Sequence, residues 1–138
     1  MIKKDYLPLI VILFVATFLR FWQITSVPPS LSWDEAALGY NAFSILQTGK
    51  DEYGQTLPLI FKSFGDFKPG LDVYLTVPFV AIFGLTEFAV RAASSVFGVL
   101  SVLVLYLLVR DWTQKKNFAA ASAAILAISP WHLVISRP

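Results

Sequence analysis

Residues 92–109 contain no charged side chain. An apolar run of that length suits a helix crossing the roughly 30 Å hydrocarbon layer of a bilayer. Lipid offers no hydrogen bonds, so a spanning segment must satisfy its backbone internally, which restricts it to a helix or a closed barrel. Two more runs resemble it: one is apolar from Tyr6 until Arg20, and the other begins at Phe118. Composition agrees, because 57% of the residues are hydrophobic and only 14% are charged, against about 25% charged in soluble domains. Mean hydropathy is +0.67. The expected fold is therefore an all-α integral membrane protein. It has three transmembrane helices at 6–24, 92–110 and 118–136, and two juxtamembrane or interfacial helices in an outer loop at 25–91.

Charge placement orients these spans. Lys3 and Lys4 precede the first span, and Arg110, Lys115 and Lys116 lie between the second and third. The positive-inside rule puts both groups in the cytoplasm, provided that the apolar stretch 71–84 does not cross. That stretch is short for a span, with Asp72 near its start and Pro78 at its middle, which suits an interfacial or re-entrant helix. Bulky residues, including Phe18, Phe21 and Trp22, fill the zone where a signal peptide would be cut, so the first span reads as an uncleaved anchor. The expectation is a multi-pass plasma-membrane protein with a cytoplasmic N-terminus. The chain stops at Ser136-Arg137-Pro138 directly after an apolar segment, which reads as the N-terminal fragment of a longer polytopic protein.

Within the outer loop, residues 33–48 read as one helix. Ser32 and Glu35 have capping-box spacing and Gly49 suits the position after the last turn. Leu38, Ala42, Ile45 and Leu46 share one face. Small residues Ser94, Gly98 and Ser101 allow close helix approach in the second span, and Ser129-Pro130 is expected to kink or end the third.

Several chemistries are excluded. There is no cysteine and one histidine, so neither a thiolate site nor a multi-histidine metal site can form. No basic run interleaved with aromatics suggests nucleic acid. Polarity instead collects at the outer face: Asp34 and Glu35, the Lys62-to-Lys68 loop, and Arg20, His132 and Arg137 at the ends of spans one and three. A carboxylate, several cations and an apolar surround fit a lipid-linked phosphate.

Asp34 has two readings. One is complementing the helix dipole, worth up to about 1 kcal/mol; the other is general-base work on an acceptor hydroxyl. Glu35, a second catalytic candidate, already has a capping role. Successive helical residues point about 100° apart, so the two are poorly placed to flank one bond as a hydrolase pair. Lys68 is either a snorkelling lysine or a phosphate anchor. Arg20 needs an anion, which could be a headgroup, Asp34 or a donor phosphate. Arg137, Tyr40 and Asp66 complete the candidates for holding substrate, and Asp66 and Asp72 leave a divalent metal open. Asp51-Glu52 beside Lys50 reads as a turn with local charge pairing, His132 as an interfacial residue, and Glu87 with Arg91 as an i, i+4 ion pair.

Four stretches together resemble the dolichyl-phosphate-mannose protein mannosyltransferase and lipid A aminoarabinose transferase group of C-type glycosyltransferases. They are Pro28-Pro29-Ser30-Leu31-Ser32-Trp33-Asp34-Glu35, Gly65-Asp66-Phe67-Lys68-Pro69-Gly70-Leu71, Phe83-Gly84-Leu85-Thr86-Glu87-Phe88-Ala89-Val90-Arg91 and Ile128-Ser129-Pro130-Trp131-His132. The resemblance implies transfer from a polyprenyl- or dolichyl-phosphate sugar donor, without a nucleotide sugar, to a protein or glycolipid acceptor at the extracytoplasmic membrane face. It maps the essential aspartate onto Asp34 and the phosphate-contacting lysine onto Lys68, and it implies two juxtamembrane helices in the outer loop. Relatives often carry a basic residue where Ala36 and Ala37 stand, and many read Lys-Pro-Pro where Gly70 follows Pro69 here. The fragment is expected to be inactive alone. The contrasting reading is a non-catalytic polytopic membrane subunit or transporter fragment, whose acidic pair only caps a helix.

Overall fold

The computed structural model describes residues 6–137; Lys3 and Lys4, used above for orientation, lie outside the described residues. The chain divides into two compact units, one of residues 1–23 with 94–138 and the other of residues 24–93.

The first unit is helical. It holds α1 (Leu7–Phe21), most of α4 (Glu87–Thr113), α5 (Lys116–Ile128) and α6 (Pro130–Ile135). Its core joins Leu9 and Ala16 of α1, Val102 and Tyr106 of α4, and Ala119, Ala123 and Ala127 of α5. The three alanines recur every fourth residue, giving α5 one small-residue face against which α1 packs closely. The outward side is apolar as well: Phe14 and Phe18, Val104, Leu107 and Leu108, and Ile125 are exposed. Such a surface suits hydrocarbon rather than water. Pro130 cannot donate to the helix before it, and α5 accordingly ends at Ile128, with α6 starting afresh. The expected interruption at Ser129-Pro130 is present.

Among the described residues, α4 is the one helix long and apolar enough to cross a membrane. The segments expected to span at 6–24 and 118–136 contain shorter helices. α1 has 15 residues and α5 has 13, or roughly 20 Å each at about 1.5 Å per residue.

The second unit holds α2 (Trp33–Thr48), a hairpin of β1 (Ile60–Ser63) and β2 (Asp66–Pro69), α3 (Leu71–Phe83), and the first residues of α4. Ala42 and Ile45 of α2, Phe61 of β1, Val73 and Val80 of α3, and Ala89 make its core. Both loop helices lie where the sequence indicated, and Gly49 ends α2 in the left-handed region. Of the four residues expected to share one face, Leu46 is exposed, while Asn41 is buried. Asn41 donates to the Ala37 carbonyl (3.0 Å) and exchanges hydrogen bonds with Glu52.

The all-α expectation needs correction, because β1 and β2 pair antiparallel from Ile60↔Pro69 to Ser63↔Asp66. Each strand is only four residues long, too short for hydrophobic alternation to stand out against neighbouring loop residues. The turn at Asp51 also differs in detail. Its carboxylate accepts from the Tyr53 and Gln55 backbone N–H groups (3.0 and 2.7 Å) rather than pairing with Lys50.

Candidate active site

The acidic pair opens α2, and its two members take different surroundings. Ser32 Oγ accepts from the Glu35 backbone N–H (3.2 Å), and Glu35 Oε2 accepts from the Ser32 N–H (2.7 Å). This reciprocal box satisfies backbone donors that a helix start leaves free. The other Glu35 oxygen, Oε1, accepts from Arg91 Nε at 2.7 Å. Both oxygens are thus engaged in a buried place. Burial works to raise the Glu35 pKa, but hydrogen bonds from Arg91 and Ser32 and the charge of Arg91 outweigh it. The carboxyl is held below its ordinary range.

Arg91 is fully buried and does more than pair with Glu35. Its Nη1 donates to the carbonyls of Ile24 (2.9 Å) and Pro28 (3.0 Å), and its Nη2 to that of Ser30 (2.8 Å). One guanidinium therefore ties the loop entering α2 to the helix's first turn. The expected Glu87–Arg91 pair is not formed. Helical spacing permits it, but a buried arginine must fill several donors, and the carbonyls and Glu35 supply them. Sequence reasoning missed this centre because its partners lie far away in the chain.

Asp34 stands one residue before Glu35, and its side chain is 83% exposed. It accepts a hydrogen bond from Lys68 Nζ through Oδ1, and Oδ2 takes none from the described residues. Strand alternation positions Lys68. Cross-strand partners share a face, so Lys68 lies on the same side of the hairpin as its partner Phe61, which packs into the core against α2 and α3. The rings of Trp33 and Phe64 meet edge-to-face at 5.4 Å, fastening the hairpin tip to the start of α2. At the other end of the hairpin, Gly70 N–H donates to the Leu59 carbonyl (2.9 Å). A Cβ at Gly70 would lie 2.7 Å from that oxygen. The departure from Lys-Pro-Pro thus has a local reason: proline could neither donate this bond nor fit this approach.

The remaining candidates sit as follows. Asp66 is exposed and accepts from the Phe67 N–H (2.7 Å); Asp72 is exposed in the first turn of α3; and Tyr40 is exposed on α2. In the other unit, Arg20 is fully buried. It donates to the carbonyls of Ala16 (3.0 Å) and Ala127 (3.3 Å) and to His132 Nδ1 (2.5 Å), while its Nε finds no partner. Arginine can only donate, so His132 Nδ1 must accept, which puts the ring proton on Nε2, facing Ser101 Oγ at 3.0 Å. Gly98 leaves room for this arginine, since a Cβ there would lie 2.8 Å from Arg20 Nε. Arg137 donates to the Trp22 carbonyl (2.6 Å) and also keeps a buried Nε without a partner. His132 is thus an acceptor for Arg20 rather than only an interfacial side chain. Among the described residues, no three histidine, aspartate or glutamate side chains gather to hold a metal ion.

Comparison with known proteins places the chain beside one described family. The family model described as dolichyl-phosphate-mannose-protein mannosyltransferase covers residues 10–138. No curated protein and no solved structure matches the chain.

Proposed function

The chain belongs to the dolichyl-phosphate-mannose-protein mannosyltransferase family, and on that premise we propose that Asp34 and Lys68 form the reacting centre of a membrane glycosyltransferase. The family is one of integral membrane glycosyltransferases that draw on a polyprenyl-phosphate sugar donor. The observation that carries the assignment is the Asp34–Lys68 contact, an exposed carboxylate hydrogen-bonded to a lysine on a neighbouring hairpin.

In this reading the donor's phosphate takes the Lys68 ammonium and leaves the Asp34 carboxylate free. Asp34 accepts the proton of an acceptor hydroxyl, on a protein or a glycolipid, as that oxygen bonds to the anomeric carbon. The carbon–oxygen bond to phosphate breaks with inversion, and its electron pair departs on the polyprenyl phosphate, whose charge Lys68 balances. A phosphate is already a good leaving group, so one base and one cation suffice. Glu35, whose two oxygens are committed to Ser32 and Arg91, serves as a positioning residue for α2. Tyr40 and Asp66, both exposed in the same unit as Asp34, are assigned to sugar contacts.

The accompanying topology is three spans at 6–24, 92–110 and 118–136 in the plasma membrane. Residues 25–91 lie outside and the chain serves as the N-terminal portion of the catalytic membrane domain.

The test is transfer by the full-length protein in membranes, offered a radiolabelled polyprenyl-phosphate sugar or a nucleotide sugar. Consumption of the lipid-linked donor alone is expected. Lys68→Ala should raise the KM for that donor roughly 10- to 100-fold, the equivalent of one charge-assisted hydrogen bond. Use of the nucleotide sugar, or an unchanged donor KM in Lys68→Ala, would contradict the assignment.

A further inference from the structure

The hairpin has a second face, and the reacting centre does not use it. Alternation along β1 buries Phe61 and Ser63 and turns Ile60 and Lys62 outward, with their cross-strand partners Pro69 and Phe67 beside them. Leu59, Ile60, Phe64 and Phe67 are each at least 60% exposed, as is Trp33. Leu71, which follows directly as the first residue of the apolar helix α3, is exposed as well.

The tip makes the exposure harder to dismiss. The turn residues Phe64 and Gly65 both have positive φ, at 49° and 85°. That geometry favours Asn-Gly, Asp-Gly or Gly-Gly, and a bulky aromatic in the left-handed region is strained. Against this strain, the Phe64 ring has an edge contact with Trp33 while most of its surface stays uncovered. Lys62 stands among these apolar groups with its ammonium 5.8 Å from the centre of the Tyr53 ring.

We infer that this outward face, made of Ile60, Phe64 and Phe67 with Trp33 alongside, is immersed in the headgroup layer of the bilayer, with Lys62 on lipid phosphate. Aromatic rings interleaved with a lysine are the chemistry that the lipid–water boundary selects. A membrane is at hand because the family is integral to it, and the exposed apolar surface continues from the hairpin into α3. Depth is limited by the backbone. A two-stranded sheet leaves edge N–H and C=O groups unpaired, and these cannot enter hydrocarbon without heavy cost. The face therefore lies shallow, among glycerol and phosphate. Lys68 sits on the reverse side of the same hairpin, so the anchor would hold it at the level of a lipid-linked phosphate; that consequence alone rests on the proposed reaction.

The absence of cysteine makes the test direct. Phe64→Cys and Phe67→Cys, each introduced singly into the full-length protein, are labelled with an environment-sensitive fluorophore. The proteins are then reconstituted in vesicles of phosphatidylcholine and phosphatidylglycerol. Both labels should be quenched by a nitroxide carried near the glycerol of the lipid. Iodide should quench them several-fold less than it quenches the same fluorophore on free cysteine in water, and a nitroxide deep in the acyl chains should act weakly. Two results overturn the proposal: iodide quenching equal to that of the free conjugate, which places the face in water, or protection from iodide and both nitroxides, which means that protein covers it. Neither result bears on the Asp34 assignment, which donor turnover tests separately.

Discussion

Adjacent carboxylates at the start of α2 differ because their side chains leave the helix about 100° apart. One direction leads to Ser32 and Arg91 in a buried place, the other to Lys68 near solvent. Arg91 is the residue on which this division depends. Replacing it with methionine leaves the buried Glu35 carboxylate uncompensated and three carbonyls without a donor, a loss of about 3–5 kcal/mol. Thermal unfolding of Arg91→Met in detergent should show a large drop, and Arg91→Lys should recover only part of it. Glu35 also sets a pH dependence. Its folded pKa is lowered, so its contribution to stability is complete above the ordinary glutamate value of about 4.3 and fades as pH falls from there through the folded value. Glu35→Gln should flatten that acid limb of the stability profile.

At the scale of elements, the hairpin between α2 and α3 gives Lys68 its place. Gly70 closes it through the bond to Leu59, so Gly70→Pro should loosen β2 and lower transfer more than it lowers helix content. Comparing the two by activity and circular dichroism checks this. How much of these elements could be read in the sequence depends on the range of the signal. The capping box of α2, its glycine stop, the extent of α3 and the break at Ser129-Pro130 are written in local patterns within a few residues. The hairpin strands are too short for their alternation to register. The Asp34–Lys68 contact needs a fold to bring two loop segments together, although each residue was identified separately. Arg91 and the Arg20–His132 contact were missed for a related reason. Spacing along a helix suggests nearby partners, whereas burial makes an arginine collect whatever acceptors tertiary packing delivers.

For the whole molecule, hydropathy and the family agree on an integral membrane protein. The proposed topology predicts that an alkaline phosphatase reporter, active only outside the cytoplasm, is active when fused after Gln55 and silent after Gln114. The opposite pattern would reverse the orientation on which an outward-facing reacting centre depends. The most direct measurement is the rate of transfer from a polyprenyl-phosphate sugar by full-length protein carrying Asp34→Asn, set beside its unfolding temperature. Because Asp34 is exposed, stability should change by no more than about 1 kcal/mol. Transfer should fall by roughly 100-fold or more, the usual contribution of a general base. An Asp34→Asn protein that folds normally and transfers sugar at the full rate would contradict the central claim.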